Sequence, residues 1–145
     1  MHQKNCGELI KQIHCAMQKT ANNDLREADL TFAQVHLLFV LQRKPGGQSL
    51  LKDVEKEMGV AQSTTVGIVK RCGEKGFVEC FEDAADRRAK LVRITEKGLE
   101  VCRDTEMKIL NSDERMLRYL SEEERGTLVE LLSKVYAAVS EPTEV

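Results

Sequence analysis

The chain predicts a mainly α fold carrying one small β-hairpin. Apolar residues recur three and four positions apart along most of its 145 residues, while only "FVECF" and "AKLVRI" alternate at period two. Composition agrees: 41% hydrophobic and 32% charged residues suit a globular chain rich in helix. At this length one domain with helical extensions can bury a real core.

The elements follow in order. Residues 5–21 place Leu9, Ile10, Ile13 and Met17 on one helical face. "NNDLREAD" interrupts that spacing and reads as a polar connection. Thr31 and Gln34 stand at capping-box spacing and open a helix whose apolar side holds Phe32, Val35, Leu38, Phe39 and Leu41. "KPGGQS" stops it, because proline cannot continue a helix and the glycines release the backbone. Leu51, Val54 and Met58 form a short stripe ending at Gly59, which suits a left-handed C-cap. A second stripe follows at Thr65, Ile68, Val69 and Cys72, and Gly76 ends it. Two helices so closely spaced around a glycine fit a helix-turn-helix.

"FVECF" and "AKLVRI" then make a two-stranded hairpin with "EDAADRR" as its polar tip. Thr95 is placed to cap a long helix reaching about Leu120, with Glu96 in its first turn. Ser121 and Glu124 open a last helix with Leu128, Leu131, Leu132, Val135 and Val139 on one face.

Helix-turn-helix followed by hairpin is a winged helix-turn-helix, in which the second helix can enter a major groove and the hairpin reach the adjoining minor groove. With Thr65, Ile68, Val69 and Cys72 packed inward, Gln62, Ser63, Val66, Gly67 and Lys70 point outward. Gln62 suits adenine, Ser63 and Thr64 suit phosphates or base edges, and Val66 suits a thymine methyl. Lys70 and Arg71 stand about two turns further on, where a helix leaving the groove meets phosphates. These cations read equally as the solvated side of a helix, and Arg87 and Arg88 as solvated loop charges.

A net charge of −2 does not oppose such a partner, because it is unevenly distributed. Residues 99–145 carry 11 acidic and 6 basic side chains, whereas residues 61–98 carry 8 basic and 6 acidic ones. The field that matters near DNA is short-ranged at physiological salt.

Other classes find less support. No apolar run approaches the roughly 18 residues that span a bilayer, and "MHQKNCGELIKQIHC" lacks a signal-peptide core, so the expected location is the cytoplasm. The five cysteines, with no C-x-x-C pair, read as reduced thiols filling core positions. His2 with Cys6, the adjacent His14 and Cys15, and a solitary His36 fall short of the four aimed ligands that zinc wants, so no metal is expected. No Gly-rich phosphate loop and no Ser/His/Asp set suggests an enzyme, and no cofactor is expected.

The segments "LTFAQVHLLFVL", "VKRCGEKGFVE" and "DRRAKLVRITEKG" together resemble the MarR family of transcriptional regulators over roughly residues 28–100. The last resembles that family's wing signature, Asp-x-Arg followed by an apolar strand and Thr-x-x-Gly. The resemblance implies a cytoplasmic transcription factor, a repressor, whose N- and C-terminal helices interlock in a homodimer and whose two heads read a pseudo-palindrome. Residues 1–30 and 99–145 would then be dimerisation segments around a DNA-binding domain at 31–98. Asp86 and Arg88 take the Asp-x-Arg positions, the carboxylate bracing an arginine while Arg87 or Arg88 enters the minor groove. A small ligand in the crevice between head and dimer helices would alter the spacing of the heads and release the DNA.

The chain departs from the family pattern at Gly67, where a long polar side chain often stands, and at Glu55, Ala61 and Gly73. Two other readings stay open. One is a winged-helix protein-interaction module, favoured by Gly67 and a weakly basic head. The other is a thiol-switched repressor using Cys6 or Cys15, near Lys11 or Lys19, although the aromatic partners usual in the family's peroxide-sensing branch are missing there.

Overall fold

The computed structural model describes residues 4–141. Six helices and three short strands occur in the order α1 (Cys6–Leu25), α2 (Phe32–Gln42), β1 (Gln48–Leu50), α3 (Leu51–Met58), α4 (Gln62–Glu74), β2 (Val78–Glu82), β3 (Lys90–Ile94), α5 (Glu96–Met116) and α6 (Glu122–Ser140). The architecture is mainly α with a small β wing.

Local chemistry sets most of the boundaries. Asn5, Thr31 and Ser121 each close a capping box, with Glu8, Gln34 and Glu124 returning the bond. Gly59 takes the left-handed conformation after α3, at φ 67°. At the end of α4, Gly76 at φ 78° lets the Phe77 N–H donate to the Cys72 carbonyl at 2.9 Å and its own N–H to the Gly73 carbonyl at 3.0 Å. That pairing is a Schellman closure, and it turns the chain sharply from α4 into the wing.

Three boundaries differ from the sequence-based expectation. Helix α1 runs through Asn22, Asn23 and Asp24 to Leu25, and a short 3₁₀ turn, Arg26–Ala28, makes the corner. Leu25 is buried there and extends the apolar stripe into the expected connection. Helix α5 stops at Met116, not near Leu120. The sheet has three strands in the order β1-β3-β2, all antiparallel, where a two-stranded hairpin was expected. Strand β1 is only Gln48, Ser49 and Leu50, too short to show an alternation, and only its pairing with Arg93, Val92 and Leu91 defines it.

The core gathers Val35, Leu37, Leu38 and Leu41 of α2, Val54 and Met58 of α3, and Ile68, Val69 and Cys72 of α4. Phe77 before the wing, Val78, Val92 and Ile94 of the sheet and Cys102 of α5 join them, with Leu25, Leu30 and Val40. All four residues expected to face inward on α4 are buried. Gly98 in the first turn of α5 is required by packing: a Cβ there would lie 2.4 Å from the Phe77 carbonyl oxygen and 2.7 Å from Ile94 Cγ1. Thr95 holds the same junction, donating to the Gly76 carbonyl at 2.6 Å and accepting from the Gly98 N–H at 3.2 Å.

Two compact units divide at Lys108/Ile109, the first containing the sheet and the core. In the second, Arg125 pairs with Glu114 at 3.2 Å and donates to the Leu117 carbonyl at 3.1 Å. Helix α6 contains no buried residue: Val129, Leu131, Leu132, Val135, Tyr136 and Val139 are all exposed. On α1, Leu9, Ile10, Ile13 and Met17 are likewise exposed.

Candidate nucleic-acid interface

The outward face of α4 follows from its inward one. Thr65, Ile68, Val69 and Cys72 are drawn into the core, which leaves Gln62, Ser63, Thr64, Val66, Lys70 and Arg71 exposed and Gly67 half-exposed. Ser63, Val66, Gly67 and Lys70 recur at helical spacing and form one stripe. Ala61 at the N-cap makes no side-chain bond, so the first amides of α4 are free to meet an anion.

Beside α4 the wing ends in a tight turn. The Ala89 N–H donates to the Asp86 carbonyl at 2.9 Å, which puts Arg87 and Arg88 at the two central, projecting positions. Asp86 Oδ1 accepts from the Arg88 backbone N–H at 3.0 Å, and Asp83 Oδ1 accepts from the Ala85 N–H at 3.1 Å. The expected brace is therefore corrected in its atoms: Asp86 holds the backbone of Arg88, and no ion pair joins it to a guanidinium among the described residues. A side chain with one methylene, two residues before the amide, closes an Asx turn far more readily than it reaches a long arginine head. Both arginine heads stay available to a partner. The wing's base is fixed by the cross-strand pair Arg93–Glu79 at 3.0 Å, with the Arg93 guanidinium 4.9 Å from the Phe81 ring centre.

The wing faces α3 and the first residue of α4 across an open cleft of about 340 Å³. Gln62, Asp86 and Arg88 line it together with Lys52, Glu55 and Lys90. Three of the expected site residues thus converge, and two lysines join them that sequence reasoning had not singled out. Their signal was faint: Lys52 stands in the first turn of α3, and Lys90 is two residues beyond Arg88. Arg87 is exposed on the turn, while Arg71 lies elsewhere. It borders a second cavity of about 490 Å³ with Arg26, Thr31, Gln34, Glu74 and Lys75. There Lys75 Nζ donates to the Asp29 carbonyl and to Gln34 Oε1, the latter at 3.1 Å, tying the end of α4 to the α1–α2 corner. Asp29 is the single non-glycine residue at positive φ, 54°, among those described.

Residues 28–89 match the family model described as the MarR family. The transcriptional regulator SlyA superposes with a TM-score of 0.86 at 27% identity, over 94% of this chain and 95% of that one. Over these residues the chain is similar to the MarR family of transcriptional regulators. It is similar to YfiV of Bacillus subtilis, named as an uncharacterized HTH-type transcriptional regulator, with 30% identity over 105 residues. That match covers 72% of this chain and 64% of YfiV, and the chain spans under two thirds of the length of the curated relatives it matches. The MepR–DNA complex of S. aureus shares the fold, with a TM-score of 0.85 at 21% identity over 94% of this chain and 99% of that one.

The other candidate sites separate by environment. Cys6 and Cys15 are exposed on α1, whereas Cys72 and Cys102 are buried, and burial pushes both of these thiols up to about 11. The expectation that the cysteines fill core positions therefore holds for Cys72 and Cys102 and fails for Cys6, Cys15 and Cys80. His2 lies outside the described residues. His36 lies against Phe32, ring centres 6.0 Å apart, and burial, then Arg43, lowers its pKa below 6.5. No helix among the described residues is long and apolar enough to cross a membrane.

Proposed function

We propose that this chain is a MarR-family cytoplasmic repressor that binds a pseudo-palindromic operator in double-stranded DNA as a homodimer and is released by a small ligand. The observation that carries the reading is the cleft in which Gln62, at the start of α4, faces Arg88 and Lys90 of the wing and Lys52 of α3. A helix with an uncapped N-terminus and a turn with two projecting arginines is the arrangement that grips a groove and its flanking phosphates. The DNA complex of MepR, which has the same fold, supports this reading.

The roles follow from position. Gln62, Ser63, Thr64 and Val66 meet base edges and the nearest phosphates, Lys70 holds phosphate, and Arg87 and Arg88 address the minor groove with Asp86 ordering their turn. Arg71 is better placed for a ligand in the 490 Å³ cavity, where a bound group would press on the end of α4 and on the Lys75 tether. The exposed apolar faces of α1 and α6 supply the surface that residues 1–30 and 99–145 need for dimerisation.

The test reverses both wing charges, Arg87→Glu with Arg88→Glu. Thermal stability should be unchanged and operator binding lost in a gel-shift titration; undiminished affinity would refute the wing assignment. Cys6 and Cys15, exposed on α1, keep a thiol-switched variant of the same reading open to one assay. Peroxide should release DNA from the wild type and not from the Cys→Ser variant of the responsible residue.

A further inference from the structure

Resting on the DNA-binding reading above, we infer that Val66 and Gly67 together select thymine-bearing A·T pairs at the centre of each half-site, with Gly67 acting as the residue that lets α4 seat deeply enough to do so. Positions 62–69 of α4 hold no lysine or arginine; the first cation is Lys70, in the third turn. Guanine is read in the major groove chiefly by a bidentate arginine or lysine, so the first two turns have no guanine reader. They present instead Gln62, whose amide matches adenine, and Val66, an apolar side chain left 44% exposed in the middle of the outward stripe. An apolar side chain there has one complementary feature on a base pair, the thymine C5 methyl.

Gly67 has no cause within the protein's own fold. Glycine is poorer than every other residue but proline inside a helix. Gly59 and Gly76 are required by positive φ, and Gly98 by the Phe77 carbonyl. Gly67 has neither cause: its φ is not positive, and a Cβ built on it meets nothing within 4 Å. It lies beside Val66 on the outward stripe, so the volume that its missing side chain leaves free is on the proposed DNA side. A bare backbone at that point lets the helix axis approach the base edges and brings the Val66 methyls into contact with a thymine methyl. A side chain at 67 would occupy that volume.

The experiment is a binding-site selection from random duplexes with the full chain. Titrations of the selected operator then follow for the wild type, Gly67→Ala, Gly73→Ala and Val66→Ser, each with a melting temperature. Gly73 is equally unobstructed and lies beyond the cations, so it controls for helix propensity alone. The selection should return A·T pairs at the half-site centre. Replacing the central thymines by deoxyuridine, which removes only the methyl, should weaken wild-type binding about fourfold per methyl contacted and leave Val66→Ser indifferent. Gly67→Ala should melt higher yet bind about tenfold more weakly. Gly73→Ala should melt higher and bind as before. Equal wild-type affinity for the thymine and uracil operators, or Gly67→Ala binding as tightly as wild type, would overturn the inference while leaving the DNA-binding reading intact. Recovery of no duplex by the wild type would remove both together.

Discussion

Thr65 shows how a single atom can carry a cost. It is fully buried on the inner face of α4, and its hydroxyl has no hydrogen-bond partner. Thr65→Val keeps the shape and removes the unsatisfied oxygen, so it should stabilise the protein by about 1 kcal/mol or more, read as a higher urea midpoint. Cys72 and Cys102 act through pH. Burial raises both thiols from 9.0 to about 11, with Lys75 and Arg103 respectively opposing the shift. A pKa raised in the folded state contributes stability in full below the unfolded value and loses it as pH rises through the folded one. Stability should therefore fall between about pH 9 and pH 11, and the Cys72→Ala, Cys102→Ala variant should decline less steeply over that window in chemical denaturation.

Single elements add their own tests. Helix α4 begins at Ala61 without a side-chain cap, whereas α1, α2 and α6 begin with full capping boxes. Ala61→Ser should raise stability by about 1 kcal/mol in thermal unfolding, since serine can bond an N-terminal amide that alanine leaves free. The wing and α3 supply the two lysines of the cleft. Lys52→Ala and Lys90→Ala should each lower the slope of log affinity against log salt by about 1, with site preference unchanged, as loss of a phosphate contact requires. Capping boxes were legible in the sequence because donor and acceptor stand three residues apart. Strand β1 was not, because three residues show no period and its partner, β3, stands about forty positions away.

For the whole molecule, the surface is the informative quantity. Apolar side chains on α1 and α6 that point to water in one chain are the kind of surface a second copy covers. On the proposed homodimer, Ile13→Asp or Leu132→Asp should shift the chain to monomer in analytical ultracentrifugation. Wild-type melting temperature should rise with protein concentration, and that dependence should vanish in the variants. Operator affinity should fall with the dimer, because two heads on one duplex act as a linked pair.

Periodicity, capping residues and turn glycines specified the mainly helical fold, the helix-turn-helix, the wing and the inward residues of α4. Each is written within a few neighbouring positions, and the core then accepts only the apolar side. The outward residues of α4 followed by elimination. What remained for the tertiary structure was every partnership across the chain. Lys52 and Lys90 join Gln62 and Arg88 because β1, α3 and the wing fold beside one another. Arg71 borders the cavity at the α1–α2 corner, and the Asp86 carboxylate accepts from a backbone amide. Proximity between distant residues is a property of packing, and no local spacing encodes it.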